Sequence, residues 1–141
     1  MRLWVSNAWD QTKLILKVQM GAELIKAYEG VLIVRFSGQL EFSELQAVQK
    51  AAGDVIEKNG KVRILCLVEG FAGWEKSKGW EDVSFQAKYD PFIEKIAIVG
   101  DRKWEELTLL FTSKGIRRIP IEYFAPNELS KAREWLGMPQ N

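Results

Sequence analysis

Short runs of closely spaced apolar residues alternate with stretches in which apolar residues return every three or four positions. The first pattern predicts strands and the second predicts helices. Ala22 to Tyr28 and Val31 to Phe36 read as two strands. Val31 to Phe36 is almost continuously apolar and rich in β-branched residues, as a strand buried on both faces should be. Glu29-Gly30 between them predicts an antiparallel hairpin. Ser43 followed by Gln46 predicts a capping box. Beyond it, Leu45, Val48, Ala52, Val55 and Ile56 share one helical face, and Gly60 predicts the stop.

Val62 to Val68 reads as the next buried strand, and residues 69–79 as a loop rich in glycine, aromatic and charged residues. A short helix is predicted from about Trp80 to Tyr89, halted by Pro91. Ile96 to Val99 is a fourth strand. Asp101 then caps a helix whose apolar face is Trp104, Leu107, Leu110 and Phe111. Ile119 to Phe124 is a fifth strand, and Pro120 near its start predicts an edge or strand-entry position. A last helix runs from about Asn127 to Leu136, packs Leu129, Ala132 and Trp135, and ends at Gly137. The order β-β-α-β-α-β-α-β-α implies a single α/β domain. Its sheet is mixed, mostly parallel with an initial antiparallel hairpin, and about four helices flank it.

Composition agrees with this reading and narrows the chemistry. The 141 residues suit one domain. A hydrophobic fraction of 47% against 28% charged is that of a folding chain, not a disordered one. Twenty basic and nineteen acidic residues leave a net charge of +1, so no global field draws the protein to nucleic acid. The absence of histidine removes the commonest general base, the usual serine and cysteine triads and most catalytic zinc sites. A lone cysteine, Cys66, forms no internal disulfide and fits a reducing cytoplasm. No apolar run is long enough to span a membrane, and Leu14 to Leu16 is too short for a signal core. No cofactor motif is present, neither GxGxxG nor a Walker A lysine.

Three groups of residues carry the resemblance to a known family. They are Ile96-Ala97-Ile98-Val99-Gly100-Asp101-Arg102-Lys103-Trp104, the stretch Phe71-Ala72-Gly73-Trp74, and Phe124 to Leu136 with its Glu134-Trp135-Leu136 ending. Together they resemble SpoIIAA-like proteins over about Gly21 to Leu136. The resemblance implies a STAS-related fold, also likened to the lipid-binding CRAL-TRIO fold, and implies no particular activity. In anti-sigma-factor antagonists of related fold, a phosphorylated serine begins the helix after the central strand. Here that region reads Val68-Glu69-Gly70-Phe71-Ala72-Gly73-Trp74, without serine, and Ser77 lies too far along. Residues 1–19 fall outside the resemblance and read as an added strand or interaction segment, with Met20 as an alternative start. The domain proper then covers 20–138.

Ligands of open α/β sheets bind beyond the carboxyl ends of the parallel strands. That rule brings together the loop Glu69 to Gly79 and the turn Gly100 to Trp104, which carry Glu69, Trp74, Trp80, Asp101, Lys103 and Trp104. Phe71, Trp74, Trp80, Phe85 and Tyr89 would wall an apolar ligand pocket. The competing reading is that these rings cap the core beneath a short helix. Asp101 would occupy its own helix cap and repel an anion there. Trp74 to Trp80 interleaves bases and aromatics, but its acidic surroundings disfavour nucleic acid. Lys114, Arg117 and Arg118 read as a solvated basic turn, and Cys66 as an inert buried thiol.

The expectation is a non-enzymatic binding or regulatory module for a small apolar ligand or a protein partner. A homodimer would be held by exposed tryptophans and the amino-terminal segment. The alternatives are an antagonist-like phosphoswitch, or an enzyme working through Glu69, Asp101, Lys103 or Tyr89.

Overall fold

A computed structural model describes residues 22–28, 30–76, 78–112 and 117–139. The proposed segment 1–19, Ser77 and Lys114 lie outside the described residues. Among the described residues, five strands form one sheet: β1 (Ala22–Tyr28), β2 (Val31–Leu40), β3 (Val62–Trp74), β4 (Ile93–Val99) and β5 (Ile121–Phe124). Four described α-helices join or follow them: α1 (Phe42–Asn59), α2 (Ser84–Tyr89), α3 (Glu105–Phe111) and α4 (Leu129–Trp135). β1 and β2 are antiparallel, and every other neighbouring pair is parallel. The mixed α/β architecture read from the sequence is therefore the architecture observed.

Strand order follows chain order without exception. Parallel strands that step one place at a time, joined by crossovers of one hand, put every connecting helix on the same face. The packing shows this. Val48, Ala52 and Ile56 of α1, Phe85 and Tyr89 of α2, and Leu109 of α3 all join one cluster with Leu32, Val34, Ile64, Ile96 and Ile98. The opposite face carries Val31, Leu65, Ala97 and Val99 under Ala132 and Leu136 at the α4 end. Helix α4 is seated by two cations from the strands. Arg63 donates to the Leu136 carbonyl, and Lys95 donates to that of Trp135 at 2.9 Å. Both neutralise carbonyls left unpaired at a helix C-terminus.

Several local expectations need correction. The capping box of α1 is Glu41 with Glu44, not Ser43 with Gln46. The Glu44 carboxylate accepts from the Glu41 backbone N–H at 2.9 Å, two residues earlier than the motif suggested. Helix α1 begins early because Phe42 N–H donates to the Glu75 carboxylate at 2.8 Å, a partner remote in sequence. On α3, Leu107 and Leu110 are 47% and 75% exposed, while Leu109 packs against the core. The 3₁₀ turn Arg102–Trp104 precedes the helix and rotates its phase from the one a continuous helix would have. The predicted helix at residues 80–89 is split into a 3₁₀ turn, Lys78–Glu81, and the shorter α2.

The largest correction concerns residues 69–79. The sequence reads as a loop, yet β3 continues to Trp74. Phe36 pairs with Val68, Gly38 with Phe71 and Leu40 with Trp74. So β2 advances two residues for every three of β3, through two bulges. Gly70 and Gly73 take φ of +56° and +96° and absorb the extra residues. Val68, Phe71 and Trp74 therefore keep to one face at a spacing of three.

Gly100 ends β4 in a close approach. A β-carbon there would stand 2.7 Å from the Tyr123 hydroxyl and 2.9 Å from Val68 Cβ. The Val68 atom is fixed to the backbone and cannot rotate away. Gly100→Ala should cost about 1–3 kcal/mol of stability as an overpacking change. Urea denaturation measures it, and an unchanged midpoint would contradict this packing.

Candidate functional site

The helix-rich face of the sheet borders a half-open cavity of about 160 Å³. Its floor is the sheet itself, through Val34, Ile64, Cys66, Ile96 and Ile98. Helix α1 supplies one wall with Leu45, Val48, Gln49 and Ala52. Phe85 and Gln86 of α2 and Thr108 and Phe111 of α3 supply the others, and Thr112 and Arg117 close the far side. The side chains facing it are mostly apolar, as small-ligand pockets require.

The bulged end of β3 builds its aromatic rim. Phe71 and Trp74 border the cavity with ring centroids 5.8 Å apart. Trp104 stands edge-on to Phe71 at 5.0 Å, and Phe111 lies 4.7 Å from Trp74. Trp80 meets Phe111 at 5.2 Å and Phe42 at 5.2 Å, both edge-on. The Trp80 indole N–H donates to the Glu75 carbonyl at 2.7 Å, so its one polar group is satisfied without a ligand. These contacts make the rim a stacked, pre-formed structure.

The residues singled out from the sequence thus fall into two groups. Phe71, Trp74 and Phe85 border the cavity. Trp80 and Trp104 are half-buried and pack behind the rim. Tyr89 points elsewhere. It stacks on Phe85 at 4.9 Å, and its hydroxyl donates to Glu57 of α1 at 2.9 Å. Glu69 is exposed and 3.8 Å from Arg35. Asp101 and Lys103 are exposed at the turn, where the Asp101 carboxylate accepts the Lys103 backbone N–H at 2.9 Å. The Lys103 ammonium lies 6.0 Å from the Trp104 ring centre. The cavity therefore lies against the sheet face under the helices, not beyond the strand ends where these polar residues sit.

Arg117 corrects the reading of a solvated basic turn. Its side chain is only 15% exposed and forms a two-point pair with Asp90, at 2.8 and 2.5 Å. It also donates to the Thr112 carbonyl at 3.3 Å. Its charge is thus held by a carboxylate at the cavity's edge. Gln86 is the opposite case. Its side-chain carbonyl oxygen is shut off from solvent and has no hydrogen-bond partner among the described residues. Sequence reasoning missed Gln86, Arg117 and the α1 wall. The available signal was alternation: residues 64, 66 and 68 of β3 and 96 and 98 of β4 share a face. The apolar face of α1 through Leu45, Val48 and Ala52 was legible in the chain, but not that it stands over a cavity.

Cys66 borders the cavity and is half-buried. Burial pushes its thiol up to about 12, and the lowering by nearby Arg117 is the smaller effect. Among the described residues no group of three or more His, Cys, Asp or Glu is placed to hold a metal ion.

A family model described as SpoIIAA-like matches residues 31–137. The chain belongs to the SpoIIAA-like family. A solved structure is similar to it, that of an uncharacterized protein of the DUF3478 family with a SpoIIAA-like fold from Shewanella loihica PV-4. The two share 15% identity with a TM-score of 0.65, over 82% of this chain and 94% of that one. That likeness shows the fold. No curated protein sequence matches. Among the described residues, no helix of this SpoIIAA-like chain is long and apolar enough to cross a membrane.

The Cys66 environment makes a testable statement. At pH 8 the native thiol should react with a disulfide reagent at least about a hundredfold more slowly than the unfolded one. The same burial links stability to alkali. The folded thiol keeps its proton where the unfolded one loses it, so this contribution is complete below about pH 9.0 and declines toward about 12. Cys66→Ser should show a shallower loss over that range in urea titrations. Fast native labelling would contradict the burial.

Proposed function

We propose that this SpoIIAA-like protein is a binding module without chemistry of its own, which takes a small apolar or amphipathic ligand into the cavity between the sheet and α1–α3. The cavity carries the reading. Packed interiors hold few voids larger than a water molecule. A pocket of about 160 Å³ with mostly apolar walls leaves that surface in contact with water, and a ligand that fills it removes the apolar area from water. The family resemblance to the CRAL-TRIO fold points the same way at the level of fold alone. The cytoplasm is the proposed setting, on the ground of the single unpaired thiol.

The phosphoswitch reading has less behind it. In antagonists of related fold, residues 68–74 would lead into the helix that a phosphoserine begins, whereas here β3 runs through them. The enzyme reading needs Glu69, Asp101, Lys103 and Tyr89 to converge. Glu69, Asp101 and Lys103 are exposed, and Tyr89 sits against α1 with Glu57. A homodimer remains part of the proposal, with its contact moved. The four described tryptophans are half-buried, while Leu107 and Leu110 are exposed on α3. Light scattering at micromolar concentration should give twice the chain mass, reverting to one in Leu110→Glu.

Solvent extracts of natively purified protein, analysed by mass spectrometry against an unrelated control, should contain an apolar compound at near one equivalent. Cys66→Leu, which projects more side chain into the cavity, should lose that compound while keeping a cooperative melt. A clean extract, together with no change in tryptophan fluorescence on adding benzene-sized ligands, would sink the proposal.

A further inference from the structure

The sheet has a second face, away from the cavity, and cross-strand register sets the rows of side chains on it. Glu23, Arg35, Leu67, Val99 and Phe124 form one row across all five strands. Lys26, Ile33, Leu65 and Ala97 form the next. Strands joined in parallel are normally covered on both faces. Among the described residues, the one helix on this face is α4, of seven residues. Neighbouring strands lie about 4.8 Å apart, so one helix about 10 Å wide covers roughly half of such a sheet.

Burial shows where α4 stops and where something else begins. Leu65, Ala97 and Val99 are buried with Ala132 and Leu136 of α4. Ile33 and Leu67, at the border, are half-buried. With α4 as the only cover, exposure would go on rising toward the edge strand. It falls instead. Arg35 on β2 is 31% exposed, whereas Glu23 on the edge strand β1 is only 11% exposed. The Arg35 guanidinium reaches the Glu23 carboxylate from the inner side, its Nε donating at 3.0 Å. The outer side of Glu23 is therefore covered by another part of the molecule.

The chain supplies a segment of the right kind at the right place. Twenty-one residues precede Ala22, and they join the sheet at this margin. Within them Arg2, Ser6, Asp10, Lys13 and Lys17 recur every three or four positions, which makes one polar stripe on a helix. Val5, Ala8, Trp9, Thr12, Ile15 and Leu16 fall on another side, mostly apolar. Gly21 supplies the stop a helix needs before the chain turns into β1. A helix over residues 3–19 would be about 25 Å long, close to the ~24 Å of the seven-residue β1.

We infer that residues 1–19 form an amphipathic helix that lies beside α4 on the second face of the sheet, apolar side on Ile33 and Leu67, with its carboxyl end over Glu23. The segment thereby completes the cover of that face and belongs to the domain. It leaves the cavity face free, so the inference does not rest on the cavity being a ligand site.

The test places a nitroxide spin label on the polar stripe of the full chain, at Lys13→Cys in a Cys66→Ala background, and reads methyl signals by NMR. The methyls of Ile33 and Leu67 should lose severalfold more intensity than those of Ile64, Ile96 and Ile98, which point to the cavity face. Leu16→Glu, on the apolar side, should abolish that difference, and Ser6→Glu, on the polar stripe, should leave it in place. Greater loss at Ile64, Ile96 and Ile98 would put the segment on the cavity face and overturn the inference. Weak, uniform loss would show the segment undocked and overturn it too. So would loss at Ile33 that appears only when labelled chains are mixed with unlabelled, isotope-enriched ones, because the cover would then come from a second copy.

Discussion

Everything else in the molecule depends on the parallel pairing of β2 with β3, and on the rule that each later strand is added beside the last. Strictly sequential order with crossovers of one hand leaves no choice of side for the connecting helices. Among the described residues, helices α1, α2 and α3 crowd one face, and α4 packs on the other. Of the three, only α1 is long, with 18 residues; α2 and α3 have six and seven. Short helices cannot tile the sheet as completely as long ones, and the cavity lies where α1, α2 and α3 fail to meet.

The rim shows how a small irregularity becomes a structural device. A regular strand would send Phe71 and Trp74 to opposite faces or into solvent. Two bulges in β3, each relieved by a glycine at positive φ, restore both rings to the cavity side. The rings then meet Trp104 and Phe111 of a later segment, which ties the β4–α3 connection to the end of β3. Backbone bonds reinforce the tie: Glu75 N–H reaches the Leu40 carbonyl at 2.9 Å, and its carboxylate starts α1. One residue thus ends β3 and begins the helix that walls the cavity.

The polar groups around this space divide by what they already hold. Arg117 and Asp90 satisfy one another, and Arg102 links Glu105 at 2.8 Å to Glu128 at 2.7 Å, joining the starts of α3 and α4. Such pairs organise loops and contribute modestly where water reaches them. Gln86 differs because its side-chain oxygen is buried with no hydrogen-bond partner among the described residues.

Element identity was legible in the chain because it rests on local periodicity. The hairpin at Gly30, the buried runs of β2, β3 and β4, the stop at Gly60 and the edge position of β5 behind Pro120 all follow from residues within a few positions of each other. The resemblance to the SpoIIAA-like family was legible on the same grounds, from contiguous motifs. The extent of β3 was not, because a spacing of three is neither the strand period nor the helix period and becomes intelligible only beside β2. The phase of α3 was hidden by the 3₁₀ turn before it. Of the aromatic residues read as a pocket, the sequence could place Phe71, Trp74 and Phe85 in one neighbourhood but could not tell them from Tyr89, which faces α1. The pairing of Arg117 with Asp90 spans 27 positions, and the isolation of Gln86 depends on every neighbour it lacks. The sequence by itself determined the fold class and the order of its elements, because hydrogen-bonded local structure and hydrophobic period are written in adjacent residues. Only the tertiary structure decided that a cavity exists, where it lies and which side chains line it, because such a space is a property of distant segments packed together.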